Sequence, residues 1–192
     1  MGNNTANVSV GKPAVGGAIF SAPLGTTLPT NATETLDSAF VCMGYVSEDG
    51  LRNNNTPTSS EIKAWGGDVV ATVGTEKKDQ FGYKLIEALN TDVLKSVYGS
   101  GNVSGDLATG ITVRANSTEV EARAWVYDTI MNGNVLKRIV VPNAKISEVK
   151  EIVYKDNDAV GYDITINAMP GGEAFGYDTH KEYIKSASTS GT

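Results

Sequence analysis

The chain has 192 residues, 40% of them hydrophobic and 20% charged, with a formal net charge of −6 and a pI near 4.8. That length suits one domain of ordinary size, and the acidic balance argues against tight nucleic-acid binding, which neutralises phosphates with clustered Lys and Arg. No run approaches the roughly 20 apolar residues of a membrane span, and the opening MGNNTANVSV lacks the basic and apolar regions of a signal peptide, so neither membrane insertion nor export is expected.

Residues 1–17 are rich in Gly and Asn and read as an N-terminal arm ahead of a domain spanning 18–185. In GAIFSAPLGTTLPT a short apolar run precedes Pro23 and a set of turn residues, and a second apolar run follows at 40–46; the pattern predicts strand, loop, strand. Cys42, the single cysteine, cannot form an internal disulfide and reads as a small buried apolar residue, consistent with folding in a reducing cytoplasm. Residues 47–61, SEDGLRNNNTPTSSE, carry three consecutive asparagines and Pro57 with no hydrophobic period. They predict a long loop, and long loops inside compact domains are usually functional or mobile.

Strand character resumes in IKAWGGDVVATVGTE, where Gly66 and Gly67 suggest a bulge or bend. Over 78–89 the period is ambiguous: Phe81, Tyr83 and Leu85 alternate as on a strand, while Phe81, Leu85 and Leu89 also share helical spacing. Gly82 and the two aromatics favour strand.

A short helix is predicted at about residues 90–98. Asn90 can cap it, Asp92 sits in the first turn where the helix dipole favours an anion, and Gly99 supplies the terminating position. Val93, Leu94, Val97 and Tyr98 form one apolar face, candidates for packing on a sheet or for contact with a neighbouring subunit. A helix this short cannot stand alone and must be held by packing.

Beyond it, TGITVRA, EVEARAWVYDTI, VLKRIVV, AKISEVKEIVY and AVGYDITINAM each carry β-branched or aromatic alternation. Asn132-Gly133 predicts a type I′ hairpin and KDNDA a second one. Residues 186–192 have little to bury and read as a flexible tail. The expected fold is mainly β, an antiparallel sandwich or barrel-like meander with one short flanking helix.

Catalytic and ligand motifs are weak. His180, the only histidine, lies near the C-terminus and reads as an exposed tail residue rather than part of a triad. One His and one Cys cannot complete a zinc site without carboxylates. GSGNVSG follows a helix instead of opening one, unlike a phosphate loop, and DNDAVGYD lacks the later ligands of a calcium loop. Asn-x-Ser/Thr occurs at Asn3, Asn7, Asn31, Asn54, Asn102 and Asn116, as abundant Asn, Ser and Thr produce without any glycosylation. No cofactor and no enzymatic activity are expected. An adhesion or carbohydrate-binding module remains an alternative, with Trp65, Trp125 and the tyrosines as stacking surfaces.

Six stretches, VGKPAVGGAIFSAPLGTTLPT, LDSAFVCMGYVSEDGL, IKAWGGDVV, LIEALNTDVLKSVYG, RIVVPNAKI and THKEYI, taken in that order, resemble the major tail protein, or tail tube protein, of long-tailed non-contractile bacteriophages. The resemblance implies a virion protein made in the host cytoplasm, whose hexameric rings stack into the tube that delivers the genome. It implies a tape measure protein, a tail terminator and distal tail proteins as partners, and transient passage of DNA. Arg52, Asn53, Asn54, Asn55, Thr56 and Pro57 are the candidate inter-ring loop. Acidic residues lining the bore would keep DNA from adhering, although alternation alone does not say which strands face it.

Overall fold

The structure is a computed structural model and describes residues 2–187. Its strands are β1 (Gly11–Pro13), β2 (Ile19–Pro23), β3 (Val41–Cys42), β4 (Arg52–Lys63), β5 (Val69–Leu85), β6 (Val103–Ser104), β7 (Thr112–Val113), β8 (Arg123–Met131), β9 (Val135–Val149), β10 (Tyr162–Ala168) and β11 (Lys181–Ser186). The helix α1 spans Thr91–Tyr98. Among the described residues one antiparallel sheet runs β3-β2-β8-β9-β10-β5-β4, with β1 beside β8 and β11 beside β9; β6 and β7 form a separate small ribbon.

That sheet rolls over on itself. β8 and β5 stand three places apart in it, yet the Phe81 ring stacks on Tyr127 with centroids 5.1 Å apart, and Tyr83 meets Trp125 edge-on at 6.2 Å. Those four rings, with Ile19, Ile139, Val141, Ile164 and Ile166, make the core of the roll. Register explains the selection: Ile19 opposes Tyr127, which opposes Ile139, and Phe81 opposes Ile166. Aromatic and β-branched cross-strand pairs are the unit of sheet stabilisation. Burial pushes the Tyr83 and Tyr127 phenols up, so both stay neutral in the core.

The intervening residues Ala22, Ala124, Val126 and Val140 face the other way, into a second cluster with Phe40 and Phe175. Residues 124–127 and 139–141 are unbroken apolar runs because these segments are buried on both faces. Over the second cluster the connection from β2 to β3 is held by Arg138. Its Nε and Nη2 donate to the two Asp128 oxygens at 2.7 and 2.8 Å, and Nη1 donates to the carbonyls of Glu34 at 2.6 Å and Asn31 at 3.3 Å.

The expected class holds: mainly β, antiparallel, with one α-helix among the described residues. The sandwich is made by a single sheet, and the roll stays open. Its two ends meet at the Val46–Leu85 bridge, flanked by the Ile86 N–H to Tyr45 O bond at 3.0 Å and the Ser47 N–H to Lys84 O bond at 2.9 Å, without closing a barrel.

Several local expectations change. Residues 78–85 are strand, as the aromatics suggested. The two runs on either side of Pro142 form one strand, β9; the ladder skips at the bulge opposite Arg123–Trp125, where a residue lacking an N–H is tolerated. The hairpin at Asn132-Gly133 is present, but Met131 pairs with Val135, and the two positive-φ positions are Gly133 and Asn134, one residue later than the type I′ placement. KDNDA lies within the connection 150–161, too long for a tight hairpin. The apolar run at 40–46 supplies only the two residues of β3 and the bridge at Val46. Cys42 is half-buried, its Sγ accepting the Gly44 N–H at 3.4 Å. In the arm, Gly11–Pro13 pairs with the end of β8. Ser186 pairs with Val135, while 188–192, the rest of the expected tail, lie outside the described residues.

Candidate assembly surface

The largest departure from the sequence reading is at residues 47–61. Arg52 to Lys63 are not loop: they form β4, paired along its whole length with β5, Arg52 opposite Gly82 and Lys63 opposite Val69. The segment was hidden because every residue of β4 is exposed, so no face needed apolar side chains and no alternation was written into the sequence. The strand exists because β5 offers a ladder, not because NNNTPTSS has strand propensity. Of the bulge or bend expected at Gly66 and Gly67, the structure has the bend, at the tip of this hairpin. Their φ values of +122° and +99° are ones that side-chain-bearing residues avoid, and Gly67 N–H closes the turn on Ala64 O at 3.0 Å.

The hairpin has two parts. Near the body, β5 is anchored by buried Phe81, Tyr83 and Leu85. Beyond Asp79 the described residues of both strands are exposed, and the strand rise carries the tip roughly 30 Å from that point. Bulges between Thr58 and Ser59 and between Ile62 and Lys63 add twist along this arm. Register puts Ile62, Ala71 and Val73 on one face. Ile62, Trp65, Val69, Val70 and Val73 are all exposed, and Trp65 at the tip is fully so.

At the root of the arm sits a polar cluster that the sequence did not reveal. The Asp79 side chain is buried and its carboxylate accepts from three segments: Asn53 Nδ2 at 3.0 Å, Thr179 Oγ1 at 2.6 Å and His180 Nδ1 at 2.5 Å. A carboxylate held ionised only accepts, so Nδ1 carries the proton. Burial alone would raise the Asp79 carboxyl; the hydrogen bonds from Thr179, Asn53 and His180 outweigh it and hold the group below its ordinary 3.8. His180 also sets its ring edge-on to Phe81 at 5.4 Å. It is therefore a packed pin between the β11 segment and the arm, not the exposed tail residue expected.

The helix forms where the sequence placed it. Asn90 caps it through Oδ1, which accepts the Asp92 N–H at 3.0 Å, and Gly99 N–H returns to Lys95 O at 2.9 Å. Val93, Leu94 and Val97 are buried in the subunit's own first core cluster, and half-buried Tyr98 packs edge-on against Tyr162 at 5.9 Å. The apolar face is thus used for internal packing. GSGNVSG forms the end of α1 and the turn leading to β6. Trp125 is buried in the core and cannot stack on a glycan. Among the described residues no group of three or more His, Cys, Asp or Glu could hold a metal ion, and no helix is long and apolar enough to cross a membrane.

The family model described as phage tail tube protein matches residues 1–181. The chain belongs to that family. Among solved structures this tail tube protein is similar to one described as the cryo-EM structure of the anti-feeding prophage cap (AFP tube terminating cap), at 14% identity and a TM-score of 0.43 over 95% of this chain and 98% of that one. No curated protein matches it. Membership makes it a structural component of the phage tail, a virion protein in a family of self-assembling tube subunits rather than of enzymes.

Proposed function

We propose that this tail tube protein forms rings, six subunits each, that stack into the tube through which the genome is delivered, and that the β4–β5 arm bridges one ring to the next. One observation carries the bridging role. The arm beyond Asp79 is a two-stranded ribbon whose described residues are exposed, and five of the exposed side chains are apolar ones. An isolated hairpin is marginally stable in water, so a ribbon of this length finds its packing on another chain. Its outer strand, β4, is an edge of the sheet, and edge strands invite pairing or cover. Arg52, Asn53, Asn54, Asn55, Thr56 and Pro57 then form the root of the bridge as strand, and the residues out to Trp65 form its reach.

In that tube the acidic balance keeps the bore from adhering to DNA, since Lys and Arg facing it would make counterion-releasing contacts at every ring. A tape measure protein, a tail terminator and distal tail proteins complete the tail.

Negative-stain microscopy of concentrated protein tests the reading: tubes of stacked rings are expected, and persistent monomers would overturn it. Replacing residues 59–74 by a two-residue turn retains the Thr58–Glu76 pair and should abolish stacking while the body folds normally. Tubes of normal length from that variant would remove the arm from the bridge.

A further inference from the structure

Trp65 lies in the turn that leads into β5, and the other end of that strand runs into an apolar groove. After Leu85 the chain forms one wall of a cleft of about 660 Å³, lined by Ile86, Ala88, Leu89, Leu107, Ala159 and Val160. Leu89 and Leu107 are 66% and 69% exposed. The polar groups of that wall are already engaged: Glu87 Oε1 accepts the Tyr45 N–H at 2.9 Å, Glu87 Oε2 accepts from Asn90 Nδ2 at 3.0 Å, and Asn90 Oδ1 caps the helix. Those side chains are thus turned to the fold itself, whereas a small polar ligand needs a few convergent polar groups. The cleft suits an apolar anchor.

Continuity of β5 fixes where its two ends lie. Seventeen residues of strand separate tip from groove by roughly 55 Å. Copies related by translation along that strand bring the tip of one against the groove of the next. Such a contact joins two different patches of one chain, so it does not close on itself and propagates as a filament does. Tip-to-tip pairing would be self-complementary and stop at two.

We propose that this groove is the socket for Trp65 of a second copy. The proposal rests on the reading of the arm as an inter-ring bridge and adds where the bridge lands. Trp is the side chain most enriched among residues that dominate an interface, and such residues sit in desolvated apolar pockets.

The test uses full-length Trp65→Glu and Leu107→Glu, both at exposed positions, with circular dichroism to confirm folding. Each variant alone should raise the protein concentration needed for tubes about tenfold or more. Mixed in equal amounts, they should form two-layer stacks by light scattering, because intact tips of Leu107→Glu meet intact grooves of Trp65→Glu. A Trp65→Cys, Leu107→Cys, Cys42→Ser triple variant should form intermolecular disulfides under mild oxidation. Tubes at the wild-type threshold from either charge variant would overturn the socket and leave the tube reading standing. Wild-type protein that never associates would overturn both.

Discussion

Replacing Asp79 with Asn tests whether the root of the arm is held by charge or merely by packing. The substitution conserves shape, but an amide offers one accepting oxygen where the carboxylate offers two, and its NH2 confronts donors. Three hydrogen bonds converge on the carboxylate, at 2.5, 2.6 and 3.0 Å. Bonds to a charged group each contribute about 1.5–3 kcal/mol. Part of that is offset in the wild type by the cost of burying the charge. A net loss of about 3 kcal/mol is the working figure, and for a chain of this size it lowers Tm by roughly 6–12 °C.

The pH dependence has a definite sign. Because folding holds the Asp79 carboxyl below 3.8, its stabilisation is present above that value and is lost as pH falls through the lower folded one. Thermal melts of the unassembled subunit, followed by circular dichroism between pH 7 and pH 2.5, should therefore show the wild type losing its advantage over Asp79→Asn only below about pH 4. A cycle with His180→Gln should give a coupling of at least about 1 kcal/mol, since the two residues are in contact. Hydrogen exchange should quicken at 52–57 and 77–82, where the arm leaves the body. A variant melting within about 2 °C of wild type at pH 7, with no coupling to His180, would refute the electrostatic account.

Two further outcomes follow from buried groups. Arg138→Lys should cost about 3–5 kcal/mol by urea unfolding, because an ammonium cannot reproduce the two-pronged contact with Asp128 and also reach Glu34 and Asn31; an unchanged midpoint would mean the β2–β3 connection is held by Leu28, Leu36 and Phe40 alone. Val97→Asp places an unpaired charge in the core, where Val97 is 5% exposed, and should leave no folded subunit at 25 °C by near-ultraviolet dichroism, whereas folded monomers that fail to assemble would move Val97 from internal packing to a subunit contact.

The parts of the fold legible in sequence are those whose determinants are local. Asn90, Asp92 and Gly99 each satisfy a helix end through neighbours two to four residues away, so the helix is written within ten residues. The aromatic alternation of Phe81, Tyr83 and Leu85 survives because only one face of β5 is buried there. The β4 half of the arm was illegible for the opposite reason: with every residue exposed, neither a period of two nor an apolar content marks it. Asp79 was illegible because its donors lie 26, 100 and 101 residues away, and nothing near Asp79 in the chain announces them. Pro142 and Asn143 separate the two apolar runs without ending the strand, since Pro142 sits at a bulge of the β8–β9 ladder, where a proline is tolerated.

The same exposure that hid β4 shapes how the proposed tube grows. A free edge strand is a hazard in any soluble subunit, and β4 is blunted along that edge by Pro57 and by the polar run Asn53 to Asn55. Ordering each arm residue against a neighbour costs about 1–2 kcal/mol of backbone entropy, so a single arm landing on a single groove gains little. Once a ring presents several grooves at fixed spacing, the second and later arms dock at high effective concentration. Growth from an existing ring is thereby favoured over pairing of free subunits. An arm held at its root by Asp79 and His180, rather than hanging free, loses less freedom on docking, which ties the polar cluster to assembly through pre-organisation. Under this argument Asp79→Asn lowers more than Tm. At temperatures where the variant is fully folded it should still lengthen the lag before tubes appear, while normal assembly kinetics in a folded but looser-armed subunit would separate the cluster's structural role from any part in growth.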